Sequence, residues 1–194
     1  KNRHIEPYVG GVDGWCTWET DATPEGRTTT GYYLRKLVDE THSFSKGQNS
    51  TQPWIAFRLA EVDLNYAEAC YESGDNATAL KYINKIRERV HLPDLTGISG
   101  DNLFTALRHE RKVELAFEGL YYWDMRRWGL SPKAFTGIRR HGFKIEKNSD
   151  NSFTYTYVNV DNQDLNYPEK LNRLPIPVSE ITNNKDIDQF PEWK

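Results

Sequence analysis

The fold is decided by P-W-I-A-F-R-L-A-E-V-D-L-N-Y-A-E-A-C-Y-E-S-G-D-N-A-T-A-L-K-Y-I-N-K-I-R-E-R-V, running from Pro53 to Val90. Ile55, Leu59, Val62, Tyr66 and Ala69 recur at steps of four, three, four and three, which is the spacing of one helix face. Pro53 suits a first helical position, where its missing N–H costs nothing, so the predicted helix starts there. Ser73-Gly74-Asp75-Asn76 stops it and supplies the next N-cap, for which Asn76 is the expected residue. Ala79, Ile83, Ile86 and Val90 form the apolar face of a second helix that ends near Pro93. Ala67 and Ala69 before Tyr71, the Gly74-Asp75 turn and the returning Ala79-Leu80 have the pattern of a tetratricopeptide unit. Such units bury their faces by stacking about three copies, and one is present. An ordinary αα-hairpin packed on a third helix fits the same spacing.

Outward from this pair, Asp101 is the expected cap of a third helix with Leu103, Leu107, Val113 and Phe117 inward, stopped at Gly119. A short fourth helix is predicted from Tyr121 to Trp128. Residues 137–146 and 153–160 flank the turn-forming Lys147-Asn148-Ser149-Asp150-Asn151-Ser152, which predicts a β-hairpin. Leu174-Pro175-Ile176-Pro177 must be extended, because each proline disfavours helix in the residue before it. Upstream, Gly10-Gly11-Val12-Asp13-Gly14-Trp15 is loop chemistry, and Thr28 to Leu34 is β-branched and aromatic enough for a short strand. The expected divisions are therefore a loop-rich segment over 1–52, a helical core over 53–129 and a hairpin with an extended tail over 130–194.

Composition narrows the function. The chain has 194 residues and 37% apolar residues with Tyr counted. Exchanging Tyr for Gly, to match the usual reference set, leaves about 38% against a typical ~45–50%. Aromatic residues nevertheless reach 13%, with 6 Trp, 11 Tyr and 8 Phe. A net charge of −3 gives no general attraction to phosphate, so nucleic acid is not an expected partner. No window approaches the ~18 apolar residues that span a bilayer. Cys16 and Cys70 are too few for a disulfide scaffold and too isolated for structural zinc. His109-Glu110 lacks the second histidine of a metalloprotease helix, and no nucleophile elbow, phosphate loop or dinucleotide fingerprint is found. No metal and no cofactor are expected.

Glu110 falls on the stripe of Leu103, Leu107, Val113 and Phe117, and Glu114 lies one turn on. A carboxylate facing a core must be paired. One reading is a pair of catalytic acids, as in glycoside hydrolysis. The other is a structural ion-pair lattice of Arg58, Glu61, Glu110, Arg111, Glu114, Arg126 and Arg127. Arginines are as abundant as the acids and no Gly-lined cleft accompanies them, which favours the lattice and no enzymatic role.

Three stretches then carry a resemblance. R-L-A-E-V-D-L-N-Y-A-E-A (Arg58 to Ala69), E-R-K-V-E-L-A-F-E-G-L-Y-Y-W-D-M-R-R-W-G (Glu110 to Gly129) and L-P-I-P-V-S-E-I (Leu174 to Ile181) with the closing Gln189 to Trp193 resemble the C-terminal region of the SusD/RagB family. These are outer-membrane nutrient-binding lipoproteins. With Thr30-Gly31-Tyr32-Tyr33, the resemblance covers nearly the whole chain. It implies a mainly α fold of tetratricopeptide-like helix pairs, an α/α superhelix with irregular loops and a small C-terminal β-hairpin, all parts of one domain whose N-terminal part is absent here. Asp63 departs from the family's usual apolar residue, which implies a locally exposed turn. Leu120, Phe190 and Glu192 also depart from its pattern. The rings Tyr121, Tyr122, Trp123 and Trp128 lie inside the second of the three stretches, which implies that they are core.

The resemblance further implies surface exposure at the outer membrane, held by an N-terminal lipid anchor outside this chain, so that neither Cys16 nor Cys70 is the anchor. Its implied partners are an oligosaccharide and a SusC-like TonB-dependent transporter beneath. A peptide-binding homologue, or a lid and scaffold subunit whose contacts are all protein–protein, is the alternative. Sugar capture without catalysis uses ring faces against C–H faces and planar polar groups against hydroxyls. The expected ligand residues are Asp13, Trp15, Trp18 and Glu19, with Arg27 near. The same two tryptophans are equally suited to packing this loop onto the helical body.

Overall fold

The structure is a computed structural model describing residues 4–13, 28, 30–40, 42 and 49–194. The chain divides into two units, Thr51–Met125 and Lys1–Ser50 with Arg126–Lys194. The fold is mainly helical with a small antiparallel sheet, as expected.

In the first unit α1 (Leu59–Glu72) and α2 (Asn76–Arg89) form the helix pair and α3 (Gly100–Glu114) packs against both. The start predicted at Pro53 is corrected to Leu59. Residues 51–57 are exposed, Trp54 to 91%, so a helix there has no tertiary packing to support it. Arg58 is the extended N-cap, with φ −145° and ψ 164°.

The inward face of α1 is also corrected. It carries Ala60, Asp63, Leu64, Ala67 and Cys70, whereas Leu59, Val62 and Tyr66 are exposed. The period is the predicted one with its phase moved on. Ala67 and Ala79 are fully buried, and such small side chains let α1 and α2 approach closely around Leu64, Ile83 and Ile86. Val90 caps the end of α2 and is exposed. Asp63 is buried rather than on an exposed turn, and Lys85 Nζ donates to its Oδ1 at 3.0 Å.

The cap of α2 is Asp75 rather than Asn76, its Oδ1 accepting from the Thr78 amide at 3.0 Å. Ser99 caps α3 in place of Asp101. This helix ends at Glu114, and Leu115 turns into the core where Phe117 was expected. Val113 and Phe117 are consequently exposed, Phe117 at a left-handed φ of 65°. Tyr71 stacks on Phe104 at 4.8 Å and 4°, and Leu120 packs against the same core. α4 (Tyr121–Arg127) buries Asp124 and Met125. The expectation that its rings form core is corrected for two of the four: Tyr122 and Trp123 are exposed, because the helix turns Asp124 inward to meet Arg111, while Tyr121 and Trp128 are half-buried.

The second unit holds α5 (Ser131–Phe135), β1 (Arg139–Lys147), β2 (Phe153–Asp164) and α6 (Val178–Asn183). α5 and α6 were not anticipated, since helices of five and six residues are too short to show a period. β1 and β2 pair antiparallel with His141 opposite Asn159, Phe143 opposite Tyr157, Ile145 opposite Tyr155 and Lys147 opposite Phe153. The strand predicted over Thr28 to Leu34 is absent among the described residues. Its Thr30 carbonyl instead accepts a backbone hydrogen bond from the Phe143 amide at 2.9 Å. Gly142 permits this approach, because a Cβ there would lie 2.5–2.7 Å from Thr30 backbone atoms. Residues 174–177 carry no helix, as expected, and the chain end then folds back onto them. Gln189 brackets Ile176 through both backbone groups, and Trp193 Nε1–H donates to the Arg173 carbonyl at 2.7 Å. Phe190 and Glu192, the departures from the pattern, both face Arg173.

Candidate functional site

The arginines and carboxylates are the first candidates. Arg58 donates through Nε to Glu118 Oε2 at 2.8 Å and through Nη2 to Glu118 Oε1 at 2.7 Å. Its Nη1 reaches Glu114 Oε1 at 2.6 Å, and Nη2 also meets the Glu114 carbonyl at 2.7 Å. These bonds, those to Glu118 foremost, outweigh partial burial and hold the Arg58 guanidinium above its ordinary pKa. Arg89 Nη2 contacts both Glu114 oxygens at 2.7 and 2.6 Å. Arg87 pairs with buried Glu110 and donates to the Pro93 carbonyl at 2.9 Å. Arg111 Nη1 reaches Asn65 Oδ1 at 2.6 Å while its Nε and Nη2 meet Asp124.

The structure thus brings together Arg58, Glu114, Arg111 and Glu110 with partners the sequence reading did not name: Glu118, Arg87, Arg89 and Asp124. Glu61 is half-buried on α1 and outside every ion pair among the described residues. Arg126 donates to the Asn172 carbonyl at 2.8 Å, and Arg127 lies over the Trp128 ring at 4.5 Å. Glu110 and Glu114 thus spend acceptor oxygens on guanidinium groups.

A second candidate is a shallow pocket of about 480 Å³ lined by Lys81, Tyr82, Asn84, Lys85, Glu88 and Asp94. Two of its polar groups are already committed. Asn84 donates to the Leu95 carbonyl at 3.0 Å and accepts from its amide at 2.9 Å, while Lys85 pairs with Asp63. No three His, Cys, Asp or Glu side chains converge on a metal geometry among the described residues.

Of the expected ligand residues, Trp15, Trp18, Glu19 and Arg27 lie outside the described residues, as does Cys16. Asp13 is described. Its Oδ2 accepts from the Glu6 amide at 2.9 Å, and Glu6 Oε2 accepts from the Val12 amide at 3.3 Å. The Tyr33 hydroxyl donates to the Asp13 carbonyl at 3.1 Å. These bonds fix residues 6–13 as a closed loop.

Sequence reading passed over a group of rings on the hairpin. Phe153, Tyr155 and Tyr157 alternate along β2 on the face that carries His141, Phe143, Ile145 and Lys147 of β1. Tyr157 stacks on His141 at 4.5 Å and 8°. Phe143 packs against Tyr157 at 5.5 Å, Tyr155 at 6.3 Å and Tyr32 at 5.9 Å. Tyr8 closes the row against Phe153 at 5.6 Å. The signal was the alternation F-T-Y-T-Y in a strand that was expected only to pair.

Comparison with known proteins places this geometry. The sequence profile of the SusD family matches residues 1–193. SusD-like protein P2 of Formosa agariphila is 29% identical over 152 residues, covering 74% of this chain and 26% of that protein. SusD-like protein P25 of the same organism is 38% identical over 106 residues, covering 50% and 19%. A crystal structure of a SusD-like protein from Bacteroides fragilis superposes with a TM-score of 0.61 at 35% identity, covering 71% of this chain and 25% of that one. The chain spans about a quarter or less of the length of these relatives. With the match running from the first residue to the last but one, the chain belongs to the SusD family.

Proposed function

We propose that the chain is part of a non-catalytic oligosaccharide-binding protein at the outer-membrane surface, passing its ligand to a SusC-like TonB-dependent transporter. The family match over residues 1–193 carries this reading. The commitment of Glu110 and Glu114 to arginines supports the absence of hydrolysis. Capture works by stacking of sugar faces on rings and hydrogen bonding of hydroxyls, with Asp13, Trp15, Trp18, Glu19 and Arg27 as one proposed contact loop. The membrane link is a lipid anchor of the complete protein. Calorimetry on the complete protein against an oligosaccharide panel, with a pull-down of the transporter, tests it. Binding without product release, unaffected by Glu110→Gln, is expected. Absence of both glycan binding and transporter recovery overturns it.

A protein-interaction lid is the second reading, favoured by the exposed apolar run of Trp54, Ile55, Phe57, Leu59, Val62 and Tyr66. Trp15→Ala with Trp18→Ala separates the two: unchanged glycan affinity with weakened transporter association supports the lid.

A further inference from the structure

The ring face of the β1–β2 hairpin is open. Tyr155 and Tyr157 are 61% and 62% exposed, Tyr32 is equally exposed, and Phe153 is also exposed. Single exposed rings need no explanation, but a contiguous row on one sheet face marks a contact surface. We propose that this face binds a linear oligosaccharide laid along β2, with apolar sugar faces on Tyr155 and Tyr157. The inference rests on the glycan-capture reading and names a second contact surface for it.

The chemistry of the face selects the occupant. Its paired positions are His141 with Asn159, Phe143 with Tyr157, Ile145 with Tyr155 and Lys147 with Phe153. None is a carboxylate, and one is aliphatic. The tyrosine rings offer flat apolar surface with a hydroxyl at the rim, and Asn159, His141 and Lys147 add donors at the two ends. That mixture matches a ligand whose faces are C–H and whose edges are hydroxyls. From Phe153 to Tyr157 the strand rises about 13 Å, a straight track for a chain of sugar rings.

Area argues against a protein occupant. Four rings of ~150–250 Å² each, half exposed, present roughly 300–500 Å², against the ~800 Å² per partner of a stable protein interface. The rings are also pre-ordered: Phe143 wedges against Tyr155 and Tyr157, and His141 lies flat on Tyr157. Little rotamer freedom remains to be lost on binding.

The test uses the complete protein and four probes, amylopectin, xylan, laminarin and alginate, in affinity electrophoresis and calorimetry. Tyr155→Ala and Tyr157→Ala each lower affinity for the bound probe about 2- to 10-fold, and the pair more. Tyr155→Phe keeps most of the affinity, and the alanine variants, which lose cross-strand ring contacts with Phe143 and His141, melt somewhat lower but remain folded at the assay temperature by circular dichroism. Undiminished binding in the double alanine variant overturns this surface alone. No binding of any probe by the wild type overturns the capture reading and this surface with it. A dimer-to-monomer shift in sedimentation with glycan affinity unchanged overturns it in favour of a contact between copies.

Discussion

Arg111 grips Asp124 with two parallel hydrogen bonds, Nε to Oδ2 at 3.0 Å and Nη2 to Oδ1 at 3.1 Å, and both side chains are more than nine-tenths buried. The pair ties the last turn of α3 to α4. Attraction between buried charges roughly balances the cost of desolvating them, so the pair adds little net stability, while removing one partner strands the other. Asp124→Asn therefore costs about 3–5 kcal/mol in urea unfolding. Arg111→Leu with Asp124→Leu recovers most of that loss. A double variant no better than the single one would show that the pair does more than compensate its own burial.

Arg58 acts at the same end of α3, joining the N-cap of α1 to Glu114 and Glu118 through both edges of its guanidinium. Lysine keeps the charge but lacks the planar fork that spans two carboxylates. Arg58→Ala is expected to cost about 1.5–3 kcal/mol, the range for hydrogen bonds to charged groups. Arg58→Lys recovers only part of it. Arg35→Ala is the control: its pairing with Glu40 is exposed on both sides, and no measurable change in the unfolding midpoint is expected.

These arginines show what the sequence carried and what it did not. Helix existence was legible from Ala60 to Val90 because period and turn chemistry are local. The phase of α1 was not, because Leu59, Val62 and Tyr66 are better apolar residues than Ala60 and Ala67, and the small pair wins only once α2 is alongside. Pairing of Glu110 followed from burying a carboxylate, but its partner Arg87 sits on another helix and has no sequence spacing to betray it. On the hairpin the alternation of Phe153, Tyr155 and Tyr157 was visible. That its ring face stays open depends on everything packed elsewhere in the unit.

Gly142 allows residues 28–34 to reach β1. A methyl group would lie 2.5 Å from the Thr30 carbonyl oxygen and 2.6–2.7 Å from its Cα and carbonyl carbon, and backbone cannot yield as a flexible side chain does. Gly142→Ala is expected to break the hydrogen bond from the Phe143 amide to Thr30. Hydrogen exchange at the Phe143 amide then rises at least tenfold, and cleavage by protease within 28–34 accelerates. The β1–β2 amides keep their protection, because their own register is untouched. Unchanged exchange at Phe143 would mean the segment retreats without losing its bond.

Asp75 caps α2 with a charge as well as an acceptor. Hydrogen bonds from the Thr78 side chain and then its amide hold the carboxyl below its ordinary value. A carboxyl depressed in the folded state binds its proton more readily when unfolded, so its contribution is full above the ordinary value of ~3.9 and disappears as pH falls through the depressed one. At pH 7 Asp75→Ala has a lower thermal midpoint than the wild type, from the lost cap and the lost anion at the helix N-terminus. The gap narrows on acidification between about pH 5 and pH 2, as the wild-type carboxylate is neutralised. Asp75→Asn keeps an acceptor without a charge, so its midpoint falls less at pH 7; its gap to the wild type closes over the same range, because the wild-type carboxylate is the group that titrates, while the gap between Asp75→Asn and Asp75→Ala stays constant. A gap between Asp75→Ala and the wild type that stays constant from pH 7 to about pH 2 would assign the cap to geometry alone, with no part for the charge.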